Sequence, residues 1–190
     1  VSVSNGICRG SGDKYASMFN RNHGGVWIQM NSLYDQLKSA ILGESFPWFW
    51  TSNTTFSDVG DFNFFSHVLL ERPGATSIYP RPSSEYLPLA EAVFKEICVS
   101  KNITPNVLYR ANVNLVLPST NRTPSILHKD HDFSHKNMVV YLTDCNGGPT
   151  MVRGKKDFYG KEDEVYIFEG LHQMKAPTSD RRIVLVYTFI

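Results

Sequence analysis

The sequence predicts an α+β fold in which a β-sandwich or barrel is buttressed by N-terminal helices. Three observations carry this. Helical periodicity occurs only before about residue 105. After Pro105 the pattern changes to short strands and stays there. The closing run RIVLVYTFI (182–190) is apolar on both faces, as a central strand is.

The bulk numbers suit that fold. A chain of 190 residues is long enough for one sizeable core. It is 42% hydrophobic and 19% charged, which marks a globular rather than a disordered chain. Aromatic residues make up 13%, so the core should be rich in rings. The net charge of +1 gives no electrostatic case for a nucleic-acid partner or an anionic membrane surface. No apolar run approaches the ~20 residues of a membrane span. Cys8, Cys98 and Cys145 are odd in number, widely spaced and form no CxxC pair. They read as reduced thiols in the cytoplasm. Residues 1–8 lack a basic stretch followed by an apolar one, so no secretion signal is expected. The sequons at Asn53 and Asn121 then read as chance matches. Neither a repeat nor a linker divides the chain. The expectation is one domain over 1–190, with a helical support region to about 105 and a strand-rich core from about 106.

Residues 1–24 are rich in Gly, Ser and Asn and read as loop. A helix follows: Asn31 or Ser32 caps it, Leu33, Leu37 and Ile41 form its stripe, and Gly43 stops it. The aromatic run Phe46-Pro47-Trp48-Phe49-Trp50 is expected in the core against that helix. Residues 62–71 read as a strand in which His67 is structural. Four of the ten prolines fall between 72 and 88, which makes this stretch extended loop. With Arg72, Tyr79 and Arg81 it is the candidate for a substrate lid. A second helix spans 86–100, with Leu89, Val93 and Ile97 on one stripe.

Residues 107–117 alternate. Arg110, Asn112 and Asn114 share one face, and Tyr109, Ala111, Val113 and Leu115 the other. The polar face is either solvated or lines a cavity that holds a polar ligand. Short strands are expected at 125–130, 136–143, 149–153, 164–169 and 182–190, with a turn at Asn146-Gly147-Gly148 and a charged loop at 153–164.

His128 and Asp130 are two apart, so on a strand both side chains point the same way. His172 supplies a second imidazole further on. Two histidines and one carboxylate with open positions are the ligand set of non-haem Fe(II) centres. His131 falls on the opposite face and His135 beyond a turn, so both are second choices.

These residues stand in a wider pattern. HKD (128–130) is followed by VVYLTD (139–144), GGPT (147–150), and a distal His172 with Arg182 ten positions on. Residues 107–190 resemble the catalytic core of the Fe(II)/2-oxoglutarate dioxygenases. The likeness is to the prolyl-4-hydroxylase-like group, including its small phage and bacterial members. The resemblance implies a double-stranded β-helix, a jelly-roll core with N-terminal helices packed outside. It implies that His128, Asp130 and His172 bind iron. Arg182 would then pair with the far carboxylate of 2-oxoglutarate, where Tyr141 adds a hydroxyl. Asn112 and Asn114 would line the cavity of that co-substrate. Arg181 points away by parity. The implied cofactors are Fe(II), 2-oxoglutarate and O2, with ascorbate as an auxiliary reductant. The implied reaction is hydroxylation of a peptidyl (prolyl-type) or small-molecule substrate in the cytoplasm of a bacterium, or of a host cell. Pro149 and Ile183 depart from the family's usual acidic and aromatic residues there. Asp130 favours hydroxylation, since related halogenases carry a small residue at that place. The alternative reading is a cupin-like metal-binding jelly roll without oxidative chemistry, which leaves Arg182 unexplained.

Overall fold

A computed structural model describes residues 26–27, 32–52, 63–74 and 78–190. The expected N-terminal loop (1–24) and Cys8 lie outside the described residues. Among the described residues, ten strands and two helices follow one another as β1 (Val26–Trp27), α1 (Ser32–Leu42), β2 (Phe49–Thr51), β3 (Phe64–Glu71), β4 (Arg81–Pro82), α2 (Leu87–Ser100), β5 (Leu108–Val116), β6 (Lys136–Tyr141), β7 (Thr150–Val152), β8 (Glu164–Phe168), β9 (His172–Met174) and β10 (Arg182–Phe189). The larger sheet runs β1-β8-β6-β10-β5-β3-β2, with β4 added to β3, and the smaller is β7-β9. All pairings are antiparallel.

Period-two alternation sorts the three middle strands into two faces. On β10, Ile183, Leu185, Tyr187 and Phe189 enter the main core with the helices, while Val184 packs in a second cluster on the other side. On β6, Met138 and Val140 join the helices, and Val139 and Tyr141 the second cluster. On β5, Ala111, Val113 and Leu115 face the helices, so Arg110, Asn112 and Asn114 face inward. β10 lies between β5 and β6, as its apolar run predicts.

The helices cover the outer face. Leu37 and Ile41 of α1 and Val93, Phe94 and Ile97 of α2 are buried there. Phe94 sets its ring against Tyr187 and Phe189, and the Tyr187 hydroxyl donates to the Ala90 carbonyl (2.7 Å). Tyr34 and Lys38 of α1 reach Asp163, at the turn before β8, at 2.5 and 2.6 Å.

Several expectations need correction. The segment 125–130 makes no strand, only an isolated bridge between His128 and His172. The chain turns away at once, and Asp130 sits in a bend. The aromatic run divides. Phe46 is core, while Phe49 and Trp50 of β2 are about 60% exposed on the sheet's edge. Residues 81–82, taken as loop, form β4, and Arg81 pairs with Glu71 across that edge rather than reaching a cavity. β9 is too short to show a periodicity of its own. His67 is structural as expected: its ring nitrogens bond the Pro47 carbonyl and the Ser84 hydroxyl.

Candidate metal centre and its cavity

The inner face of the large sheet and the small sheet enclose a cavity. Its floor is Arg110, Asn112 and Asn114 of β5, Asn137 and Val139 of β6, and Arg182, Val184 and Val186 of β10. The polar face of residues 107–117 is therefore a cavity lining and not a solvated surface. Asn112 is 1% exposed.

His128, Asp130 and His172 converge on this cavity. One ligand atom from each lies within 4.8 Å of the others, and no other such cluster occurs among the described residues. The two histidines are cross-strand partners, joined by backbone bonds of 3.0 and 2.9 Å in the two directions. Each Nδ1 sits at a backbone carbonyl: Ile126 for His128 (2.8 Å) and Gly170 for His172 (3.2 Å). A carbonyl only accepts, so Nδ1 carries the proton and Nε2 keeps its lone pair. This is how second-sphere bonds prepare imidazole for a metal.

Asp130 is placed without a strand's help. Its Oδ1 meets Arg110 Nη1 at 3.2 Å, and its carbonyl accepts from Arg72 Nη1 at 3.2 Å. Its Oδ2 lies 3.5 Å from His172 Nε2. Burial raises the Asp130 carboxyl, but Arg110, then His172, His128 and Arg72 outweigh it and hold the group below its ordinary value. Burial lowers His172, with Asp130 opposing, so its imidazole is neutral at pH 7. Burial also lowers Arg110, to about 10, with Arg72 adding to the pull, so Arg110 stays charged at neutral pH.

At the other end stands Arg182, 2% exposed. It donates to Thr150 Oγ1 (2.9 Å), touches Met174 Sδ (3.1 Å), and lies over the Tyr141 ring. Its Nε has no partner, and no carboxylate pairs with it among the described residues. An isolated buried charge is costly. Met174 lies two residues from His172 on β9, about 7 Å along a strand.

The remaining predicted residues fall as follows. Tyr141 is fully buried and does not line the cavity. Its parity is inward, but Thr150, Phe158 and Gly160 cover it, and its hydroxyl bonds Thr150 Oγ1 (2.7 Å). It therefore reaches Arg182 from behind rather than touching a ligand in the cavity. Asn112 and Asn114 line the floor, linked at 2.6 Å. Arg181 is exposed. His131 packs among Tyr109, Phe133 and His135 outside the cavity. Sequence reasoning missed Thr150 and Asn137, and named Arg72 only as part of a lid, not as a partner of Asp130. Thr150 stands at the end of the GGPT turn, where its position beside Arg182 depends on a fold-level contact.

No protein-family profile matches the sequence, and no curated protein does. Solved structures do. An oxidoreductase of the 2OG-Fe(II) oxygenase family from Burkholderia pseudomallei superposes with a TM-score of 0.58 at 14% identity, over 87% of this chain and 84% of that one. EvdMO1 superposes with a TM-score of 0.53 at 14% identity, over 86% of this chain and 45% of that one. At such identity the likeness speaks for the fold alone. The chain shares its overall fold with these structures.

Proposed function

We propose that this chain is an Fe(II)- and 2-oxoglutarate-dependent oxygenase built on a double-stranded β-helix, hydroxylating a C–H bond of a peptidyl (prolyl-type) or small-molecule substrate. The observation that carries the reading is Arg182. It is a buried guanidinium without a carboxylate among the described residues, in the same cavity as a two-histidine, one-carboxylate cluster. A dicarboxylate that chelates at one end and pairs at the other answers both features.

His128 and His172 would each offer Nε2, and Asp130 would offer Oδ2, since Arg110 occupies Oδ1. This donor set fits Fe(II) and leaves the cavity side open. When bound, Fe(II) with 2-oxoglutarate and O2 supplies an oxidative decarboxylation that yields succinate and CO2 and delivers one oxygen atom to the substrate. The protein's own part is placement. Arg182 would hold the far carboxylate of 2-oxoglutarate, while Thr150 and Tyr141 orient its guanidinium. Val139, Val184 and Val186 form a dry wall between the two ends, and low polarity there strengthens the charge pairing. Cys98 and Cys145 are buried free thiols, in keeping with a reducing cytoplasm. We take the whole chain as one unit, its helical part supporting the strands that carry the site.

Calorimetric titration of 2-oxoglutarate into Mn(II)-loaded protein tests the reading. Binding that weakens about 10- to 100-fold in Arg182→Met supports it, the loss expected for a charged hydrogen-bonded pair. Equal binding by both proteins contradicts it.

A further inference from the structure

The metal end of the cavity carries polar groups that neither the proposed metal nor Arg182 uses. Thr188 of β10 is paired with Arg110 on one side and Asn137 on the other, so these three form one row across the sheet, of which Arg110 and Asn137 line the cavity. Asn112 follows on the same face of β5. Asn112 and Asn137 are each 1% exposed, and both line the cavity. Asn112 Oδ1 and Asn137 Nδ2 have no hydrogen-bond partner. Arg110 lines the same cavity as the two amides and is engaged with Asp130 through Nη1. A buried acceptor and a buried donor left without partners are costly, unless a ligand completes them.

The charge points the same way. A divalent metal and dianionic 2-oxoglutarate cancel. Among the charged groups that line the cavity, Arg110 and Arg182 then still outnumber Asp130. A carboxylate set against Arg110 meets that excess locally, whatever charge the rest of the ligand carries.

We propose that this floor is the subsite for a small carboxylate that also carries a hydrogen-bond donor, an α-amino acid in its simplest form. Its carboxylate lies against Arg110 and Asn137 Nδ2, and its amino group donates to Asn112 Oδ1. The inference rests on the oxygenase reading and narrows it to a small-molecule substrate, away from a peptide interior, which has no free carboxylate.

Ligand-observed proton NMR on the full chain loaded with Mn(II) and 2-oxoglutarate tests this. The probes are the common L-amino acids and, for each, its primary amide. The expected result is paramagnetic broadening of at least one amino acid and not of its amide. Asn137→Leu should raise the concentration needed for half-maximal broadening at least about tenfold. Asn137 does not touch Asp130, so this variant stays informative even where Arg110→Leu loses the metal. Amino acids and amides broadened alike, no amino acid broadened, or a loss in Asn137→Leu confined to 2-oxoglutarate would each overturn the subsite. In those cases 2-oxoglutarate is still broadened in the wild-type protein, and the oxygenase reading stands. If 2-oxoglutarate is not broadened in the wild-type protein, that reading falls and the subsite falls with it.

Discussion

Asp130 is the residue whose placement most needs explaining, because no strand fixes it. Two guanidiniums do. Arg110 holds one carboxylate oxygen, and Arg72 holds the backbone carbonyl. With Oδ1 engaged, Asp130 has one oxygen to give to a metal, which would keep further positions open. Arg110 is therefore a positioning residue for the metal. Replacing it with Met should weaken Mn(II) binding about 10- to 100-fold, the usual effect of removing an outer-shell partner. Electron paramagnetic resonance of free Mn(II) gives the measurement. An unchanged affinity would show that the bend holds Asp130 unaided. Residue type and the family resemblance made His128, Asp130 and His172 legible, whereas the strand parity invoked for Asp130 does not hold, since no strand runs through it. The sequence did not reveal Arg110's role, because an Arg on an alternating strand reads equally well as a solvated charge. Arg72 was legible only as part of a loop. Its contact with Asp130 joins positions 58 apart in the chain, which no local pattern encodes.

At the scale of elements, period-two alternation was the strongest signal. It sorted β5 correctly into polar and apolar faces, and it identified β10 as central from an apolar run on both sides. It failed where elements are short. β9 has three residues, and β2 and β4 have three and two, so their pairing partners decide their structure. The strand expected at 125–130 failed for a related reason. One bridge to His172 suffices there, and the chain bends immediately after it. The turn between β6 and β7 shows how a loop serves the site. A Cβ on Gly148 would stand 2.6 Å from the Lys175 carbonyl and 2.8 Å from the Pro177 nitrogen. Both are backbone atoms that cannot swing aside. Gly148 thus lets the turn before Thr150 close onto the segment that follows Met174. Gly148→Ala should lower stability by about 1–3 kcal/mol, as other overpacked sites do. It should also weaken 2-oxoglutarate binding, because Thr150 and Met174 both support Arg182. Denaturant melts and calorimetry measure the two effects. A variant as stable as the wild type would mean that the two segments separate freely.

For the whole molecule, the site and the fold have opposed demands. The large sheet buries its outer face under α1 and α2, and that face is what stabilises the chain. The inner face carries charged and polar groups that an all-apolar sandwich would omit. This cost should appear as a pH dependence of the metal-free protein. Burial, with Arg72 adding to it, lowers His131 to about 4, and His172 is lowered as well. The unfolded chain binds a proton at these histidines near pH 6.5, before the folded chain does. Stability is therefore complete above about 6.5 and falls as the pH drops below it, levelling for His131 near 4. Asp130, whose carboxyl is lowered, adds a further loss only at more acidic pH, as it protonates. Thermal melts in chelator between pH 7 and 4 should show the melting temperature falling, and His131→Phe should make the slope shallower. An unchanged slope in that variant would assign the loss to other groups. The architecture was legible in part: both helices precede residue 105 and β5 to β10 follow it, but β1 to β4 lie among the helices and join the same sheet. The order of strands in the sheets was not legible, because pairings such as β5 with β10 join segments distant in sequence.

The most direct measurement is an anaerobic titration of the metal-free protein with Fe(II) and 2-oxoglutarate, followed in the visible spectrum, with Asp130→Ala and Arg182→Ala alongside. The account predicts a weak charge-transfer band in the wild type. That band should be lost in Asp130→Ala and require far more 2-oxoglutarate in Arg182→Ala. A folded wild-type protein that develops no band would contradict the account and leave the cavity as a metal-binding pocket without this chemistry.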